Sequence, residues 1–117
     1  MDTILDSFTI NKINYSLYIA IFKNKAEIFL SYDGKPGSVI SYVPKSQQFS
    51  LFDGECYSIK FLLGMETKEA LLISKLFSKL KRIMDCPNGF ILFLNIPSDF
   101  SSESFIELDN HLKEIVQ

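Results

Sequence analysis

The residues of this chain that could carry chemistry are few and scattered. Residues 33–38, DGKPGS, contain the Gly-Lys pair of a phosphate-binding loop. Such a loop needs four residues between its first glycine and that pair, then Ser or Thr, then a helix. Here proline follows Lys35 and a strand-like run follows the turn. The segment is therefore typical of a tight reversal between two strands.

His111 is the only histidine, and Asp109 and Glu114 are its nearest carboxylates in sequence. A metal site needs further ligands at suitable spacing, and a nucleophile relay needs a serine or cysteine held against the imidazole. The sequence signals neither of these arrangements. It favours a partly exposed structural histidine.

The cysteines and the isolated carboxylates also have ordinary explanations. Cys56 and Cys86 are too few for a disulfide framework and lack the paired spacing of a zinc site. Asp33, Asp53 and Glu55 fall in turns and loops, where acidic residues are common. We therefore expect no catalytic residue, no metal and no cofactor, and a protein that is not an enzyme.

Length and charge narrow the class of partner. The chain has 117 residues, with 47% hydrophobic and 22% charged residues, which is typical of one globular domain covering residues 1–117. Its net charge of -2 argues against nucleic acid. No apolar run approaches the roughly 20 residues of a membrane helix, and Asp2 and Asp6 replace the basic start of a signal peptide. We expect a protein of the cytoplasm or nucleus that binds another protein and no membrane.

The elements that position these residues follow from the spacing of apolar side chains. Alternating runs rich in β-branched and aromatic residues predict six strands, at residues 8–13, 15–22, 26–32, 38–43, 57–63 and 90–96. A helical period predicts one helix over residues 66–84, with Thr67 as N-cap, and a second that begins at Ser101 or Ser102. The expected fold is α+β: a single six-stranded, mainly antiparallel sheet in meander order with two α-helices, in the order βββββ-α-β-α.

Two helices are too few to cover both faces of such a sheet. At about 10 Å in diameter each, they cover most of one face that is roughly 25 to 30 Å wide. In the run YSLYIAIF, residues 15–22, aliphatic residues point to one face and aromatic or small ones to the other. The second face mixes aromatic anchors with small polar residues and two opposite charges, which is typical of a protein interface. We predict sheet-to-sheet dimerisation through Tyr18, Phe22, Phe29, Ile91 and Phe93. Two alternatives stay open: the strands do not form one sheet, or the long loop folds over this face.

Exposed loops are the second predicted contact region. Residues 44–55 are mostly polar but contain aromatic side chains. The positions that we expect to contact further proteins lie in this loop and in the turn at residues 33–36: Asp33, Lys35, Lys45, Phe49 and Phe52.

Charge is divided unequally between the two predicted helices. Residues 66–84 carry a net charge of +3, and residues 98–117 carry -4. Lys68, Lys75, Lys79 and Arg82 fall close to one helical face. This face is either simply solvated or contacts an acidic partner surface, which would speed association.

Two short motifs and the order of elements resemble a known family. DGKPGSVISYVP at residues 33–44 and KFLLG at residues 60–64, followed by helix, strand and helix, are similar to the proteasome assembly chaperone 3 family. The similarity covers roughly residues 15–116 and is most specific at Gly34, Lys35 and Gly37 and at residues 62–64. It implies a non-catalytic chaperone with facing sheets that forms a heterodimer with a related small chaperone, assembly chaperone 4, or a homodimer in isolation. It also implies that proteasome alpha subunits are partners, because that pair assists formation of the 20S alpha-subunit ring.

Two alternatives come from other classes. A longin-like or profilin-like adaptor in trafficking or signalling would use a similar small sheet, with a helix between its early strands. The absence of helical periodicity before Gly64 counts against it. A small-molecule or nucleotide-binding enzyme would instead show a large, saturable thermal shift with its ligand.

Overall fold

One six-stranded sheet with three helices forms the part of the chain that the computed structural model describes, residues 2–44 and 57–115. The predicted α+β class and the number of strands in the sheet are confirmed. The strands are β1 (Asp2–Ile10), β2 (Ile13–Ile21), β3 (Ala26–Ser31), β4 (Ser38–Pro44), β5 (Tyr57–Leu63) and β6 (Phe90–Asn95). The helices are α1 (Lys68–Ser78), α2 (Lys81–Met84) and α3 (Ser102–Ile115).

The strand order is β1-β2-β3-β6-β4-β5, so the predicted meander is wrong beyond β3. β6 is inserted between β3 and β4, parallel to β3 and antiparallel to β4. The remaining pairs are antiparallel, which confirms a mainly antiparallel sheet. β6 reads FILFLN and has apolar residues on both faces. A strand with this pattern suits a central position, where the side chains of two neighbouring strands flank its apolar residues on both faces.

The first hairpin lies earlier than the alternation predicts. Residues 8–13 do not form one strand, because Ile10 pairs with Ile13 across a two-residue turn. Asn11 and Lys12 adopt positive φ angles of 51° and 66°, as the central residues of a type I′ turn require. Because lysine rather than glycine occupies the second position, the Asn-Gly or Asp-Gly pattern typical of such turns does not identify it. The strand before it, β1, starts at Asp2 and forms one edge of the sheet.

The predicted helix over residues 66–84 is two helices. Leu80 has the extended angles φ -72° and ψ 132°, which end the helical path between α1 and α2. The predicted start is confirmed: Thr67 Oγ1 accepts a hydrogen bond from the Ala70 backbone N–H at 3.1 Å. The break also means that Arg82 does not continue the helical wheel of α1.

All three helices contribute to one core with one face of the sheet, here called the helix face. The core joins the buried residues of α1 and α3 to one alternating set from the strands. His111 of α3 stacks on Phe8 of β1 with ring centroids 4.8 Å apart, and Tyr15 lies beside Phe8. Burial, with a smaller effect of the Asp99 charge, raises the pKa of Tyr15 to about 12. The sheet residues of this core are Phe8, Ile10, Tyr15, Leu17, Ile19, Ala26, Ile28, Leu30, Ile40, Phe90, Leu92 and Leu94.

Before Lys68, the described residues contain strands, turns and irregular segments but no helix. The adaptor alternative needs a helix between early strands. Within residues 2–44 and 57–67, the chain therefore lacks that feature.

Candidate protein-interaction face

The face opposite the helices, here called the open face, carries an apolar row that crosses all six strands. The register of the five strand pairs places one residue of each strand in line, perpendicular to the strands. In strand order, this apolar row consists of Leu5, Tyr18, Phe29, Phe93, Val39 and Leu63. Neighbouring side chains in such a row lie close enough to pack on one another. The row is therefore one continuous apolar strip.

Solvent reaches most of this apolar row. Leu5 is 80% exposed and Leu63 is 62% exposed at the two ends, whereas Tyr18, Phe29 and Phe93 in the middle are half-buried. Large contiguous apolar patches on a soluble protein commonly mark a site of interaction. The described part of the chain thus leaves the open face only partly covered.

The rows on either side of the apolar row are more polar. One row combines small, apolar and charged residues, with Glu27 and Lys60 both exposed. Its members are Thr3, Ala20, Glu27, Ile91, Ser41 and Lys60. The other row contains Ser7, Ser16, Ser31 and Asn95. An apolar centre with a polar rim is the usual anatomy of a protein interface.

The size of the open face also suits a protein partner. Six strands about 4.8 Å apart give a width of roughly 24 Å, and six residues along a strand give about 20 Å. These dimensions are of the order needed for the roughly 800 Å² that one partner contributes to a standard interface. The open face is broad and shallow rather than a deep ligand cavity.

Four of the five residues predicted for pairing lie together on the open face. Tyr18, Phe29 and Phe93 form the middle of the apolar row, and Ile91 lies in the adjacent row. Phe22 is 41% exposed immediately after β2. Their contact with another chain stays a prediction.

Leu5, Val39 and Leu63 belong to the same row but were not predicted. Leu5 enters it only because the Asn11–Lys12 turn fixes the register of β1 against β2. Val39 and Leu63 become partners through a register shift between Val39 and Ile40. Alternation within a single strand carries no information about such register.

The turn at residues 33–36 is tied to the end of β6 beside the open face. One carboxylate oxygen of Asp33 accepts hydrogen bonds from the Lys35 backbone N–H at 3.0 Å, the Ser31 hydroxyl at 2.9 Å and the Asn95 amide at 2.6 Å. These hydrogen bonds lower the pKa of Asp33, and the bond from the Lys35 N–H has the largest effect. Pro36 borders a shallow depression with Phe29 and Phe93. Asp33 and Lys35 therefore lie on a fixed turn, and their role in binding stays a prediction.

The predicted contacts Lys45, Phe49 and Phe52, and also Cys56, lie outside the described residues. Cys86 is a buried free thiol, and burial raises its pKa. In residues 2–44 and 57–115, no group of three His, Cys, Asp or Glu side chains is placed to hold a metal ion. No helix in these ranges combines the length and apolarity needed to span a membrane.

Comparisons with known proteins identify a similar fold. No protein-family model matches this chain, and no curated protein matches it in sequence. A solved chain described as part of a novel chaperone complex for yeast 20S proteasome assembly is similar to it with a TM-score of 0.69. The match covers 100% of this chain and 100% of that chain, at 14% sequence identity. At this identity the match shows the fold alone: over its whole length, this chain has the fold of a chain in a proteasome assembly chaperone complex.

Proposed function

We propose that this protein is a proteasome assembly chaperone, a non-catalytic subunit that promotes formation of the 20S alpha-subunit ring. The observation that carries the proposal is the apolar row of the open face, on a fold shared end to end with a chain of a proteasome assembly chaperone complex. The resemblance of residues 33–44 and 60–64 to the assembly chaperone 3 family is independent support.

In this proposal the open face binds the equivalent sheet of a second small chaperone. The apolar row supplies the dry centre of the interface, with Tyr18, Phe29 and Phe93 as its aromatic anchors. The exposed members of the serine-rich row and of the row with Glu27 and Lys60 form the rim. The partner is a related chain of the assembly chaperone 4 type, and a second copy of this chain takes its place when the protein is isolated.

Such a chaperone acts in the cytoplasm or nucleus by binding energy alone. It holds alpha subunits near one another and occupies a surface that later subunits must reclaim. Its affinity must therefore be high enough to order the ring and low enough for the later subunits to displace it. The turn with Asp33 and Lys35 contributes to client contact because its network presents these residues on a fixed backbone.

Native mass spectrometry of complexes carrying the tagged protein, purified from its source cell, tests this function. We expect a second small chaperone and alpha subunits in the same complexes, and no tagged protein in complete 20S particles. An unrelated tagged protein of similar size is the control for adventitious capture. Recovery of the tagged protein without alpha subunits would contradict the proposed function.

A further inference from the structure

The exposed side of α1 carries a stripe of lysines around a leucine, here called the cationic stripe: Lys68, Leu72, Lys75 and Lys79. These positions recur at the spacing that aligns side chains along one side of a helix. Lys68 and Lys79 are exposed, Lys75 is half-buried, and Leu72 is 37% exposed. The stripe is thus a basic surface with an apolar side chain at its centre.

The cationic stripe faces away from the sheet. The buried residues of α1, Ala70, Ile73, Ser74 and Phe77, lie on the opposite side of the helix and belong to the protein interior. Because α1 packs on the helix face, the stripe is separated from the open face by the whole thickness of the sheet. A partner on the stripe and a partner on the open face can therefore bind at the same time.

The lysines of the cationic stripe form no salt bridge within the described structure. Among residues 2–44 and 57–115, the ion pair at salt-bridge distance joins Lys113 and Asp109 of α3, at 3.1 Å. The segment at residues 66–84 has a net charge of +3 in a chain whose net charge is -2. Lysines without a salt bridge in the described residues, on a protein of net negative charge, are complementary to a negatively charged partner surface.

The composition of the stripe favours an acidic protein over nucleic acid. Its cations are lysines, whereas Arg82, the sole arginine of the chain, follows the break at Leu80. The stripe has no aromatic side chain on which a base could stack. Leu72 instead adds exposed apolar surface at the centre of the stripe, which a protein partner can cover.

We propose that the cationic stripe is the docking surface for an acidic protein surface with a small apolar pocket that receives Leu72. This inference rests on the proposed function in one respect: the acidic partner is the client alpha subunit, held on the side of the sheet opposite the chaperone dimer. The lysines attract and orient the acidic partner during encounter. Electrostatic steering of this kind raises association rates about 10- to 1000-fold and is weakened by salt.

The test compares three tagged proteins purified from the source cell: the wild type, Lys68→Glu/Lys75→Glu/Lys79→Glu, and a control. The control, Lys12→Glu/Lys23→Glu/Lys25→Glu, makes the same change in net charge at the hairpin turns. Circular dichroism verifies folding, and native mass spectrometry measures the second chaperone and the alpha subunits bound to each. We expect the stripe variant to keep the second chaperone and to recover at least about tenfold fewer alpha subunits than the wild type, because steering is lost. The control should retain both.

Leu72→Ser is the second variant, because it removes the anchor without changing charge. It should weaken alpha-subunit recovery and leave the salt dependence of association unchanged. Wild-type recovery of alpha subunits by the stripe variant, or equal loss in the control, overturns the inference and leaves the proposed function standing. A wild type that recovers no alpha subunit overturns both. Salt-sensitive self-association that the stripe variant abolishes would make acidic α3 of a second copy the occupant, and would also overturn the inference.

Discussion

The two faces of the sheet are built from the same six strands, yet only one is closed by the described chain. Neighbouring residues show the contrast: Leu92 is fully buried on the helix face, whereas Phe93 on the open face is half-buried. Leu17 and Tyr18 of β2 show the same contrast, because Leu17 is fully buried and Tyr18 is half-buried. The helix face is covered by α1 and α3, whereas the described chain leaves the apolar row of the open face partly exposed. In our proposal, each strand serves folding with one set of residues and association with the other.

The largest expected effect comes from truncating adjacent residues of β6. Leu92→Ala removes a fully buried side chain and should lower the free energy of unfolding by about 2–5 kcal/mol, because it leaves a cavity in the core. Phe93→Ala should cost the isolated monomer less, since its ring retains contact with solvent. Urea denaturation at low protein concentration measures both free energies. Equal losses would mean that the open face is covered in the monomer.

Gly34 and Gly89 have nearly the same backbone φ angle, but only Gly89 lies close to a neighbouring strand. Gly89 has φ 75° and Gly34 has φ 76°, so alanine is strained at both positions. A Cβ at Gly89 would also collide with the Tyr42 carbonyl oxygen of β4, whereas one at Gly34 would meet nothing within 4 Å.

Gly34→Ala should therefore cost about 1 kcal/mol of unfolding free energy, and Gly89→Ala at least about 2 kcal/mol. Thermal and urea denaturation of the two variants measure the difference. Equal costs would show that β4 does not approach the start of β6 so closely.

The smallest expected effect lies in the turn beside the open face. Folding lowers the pKa of Asp33, so its charged form stabilises the folded protein above the ordinary pKa of 3.8. This contribution disappears as the pH falls through the lowered pKa. Asp33→Asn should unfold at a lower urea concentration than the wild type at neutral pH, and the two midpoints should converge in acid. A difference that persists unchanged at the lowest pH would contradict this role of the charge.

Sequence patterns predicted side-chain direction better than strand partners. Alternation in residues 15–21 identified both faces correctly, because it depends on local geometry alone. The place of β6 depended on pairing between residues far apart in sequence, and the register of Leu5 depended on the turn at Asn11 and Lys12. Neither is visible in the hydrophobic period of one strand.

The helical period likewise missed the break at Leu80. Apolar residues continue at helical spacing through residues 76–84, so the pattern alone predicts one helix. The extended backbone of Leu80 turns the chain before α2, and Ile83 is still buried. The break can be reconciled with the apolar pattern because both short helices place their apolar residues in the same core.

The most direct test of the central claim, that the open face pairs with another chain, is the composition of the complex formed by Tyr18→Asp/Phe29→Asp. Native mass spectrometry compares this variant with the wild type and with Ile106→Asp, a control at a position of α3 that is 60% exposed. The wild type and the control should each carry a second small chain, and the variant should be a folded monomer with unchanged helical circular dichroism. A folded variant that retains the second chain, or a variant that loses its helical signal because these residues are core, would contradict the claim.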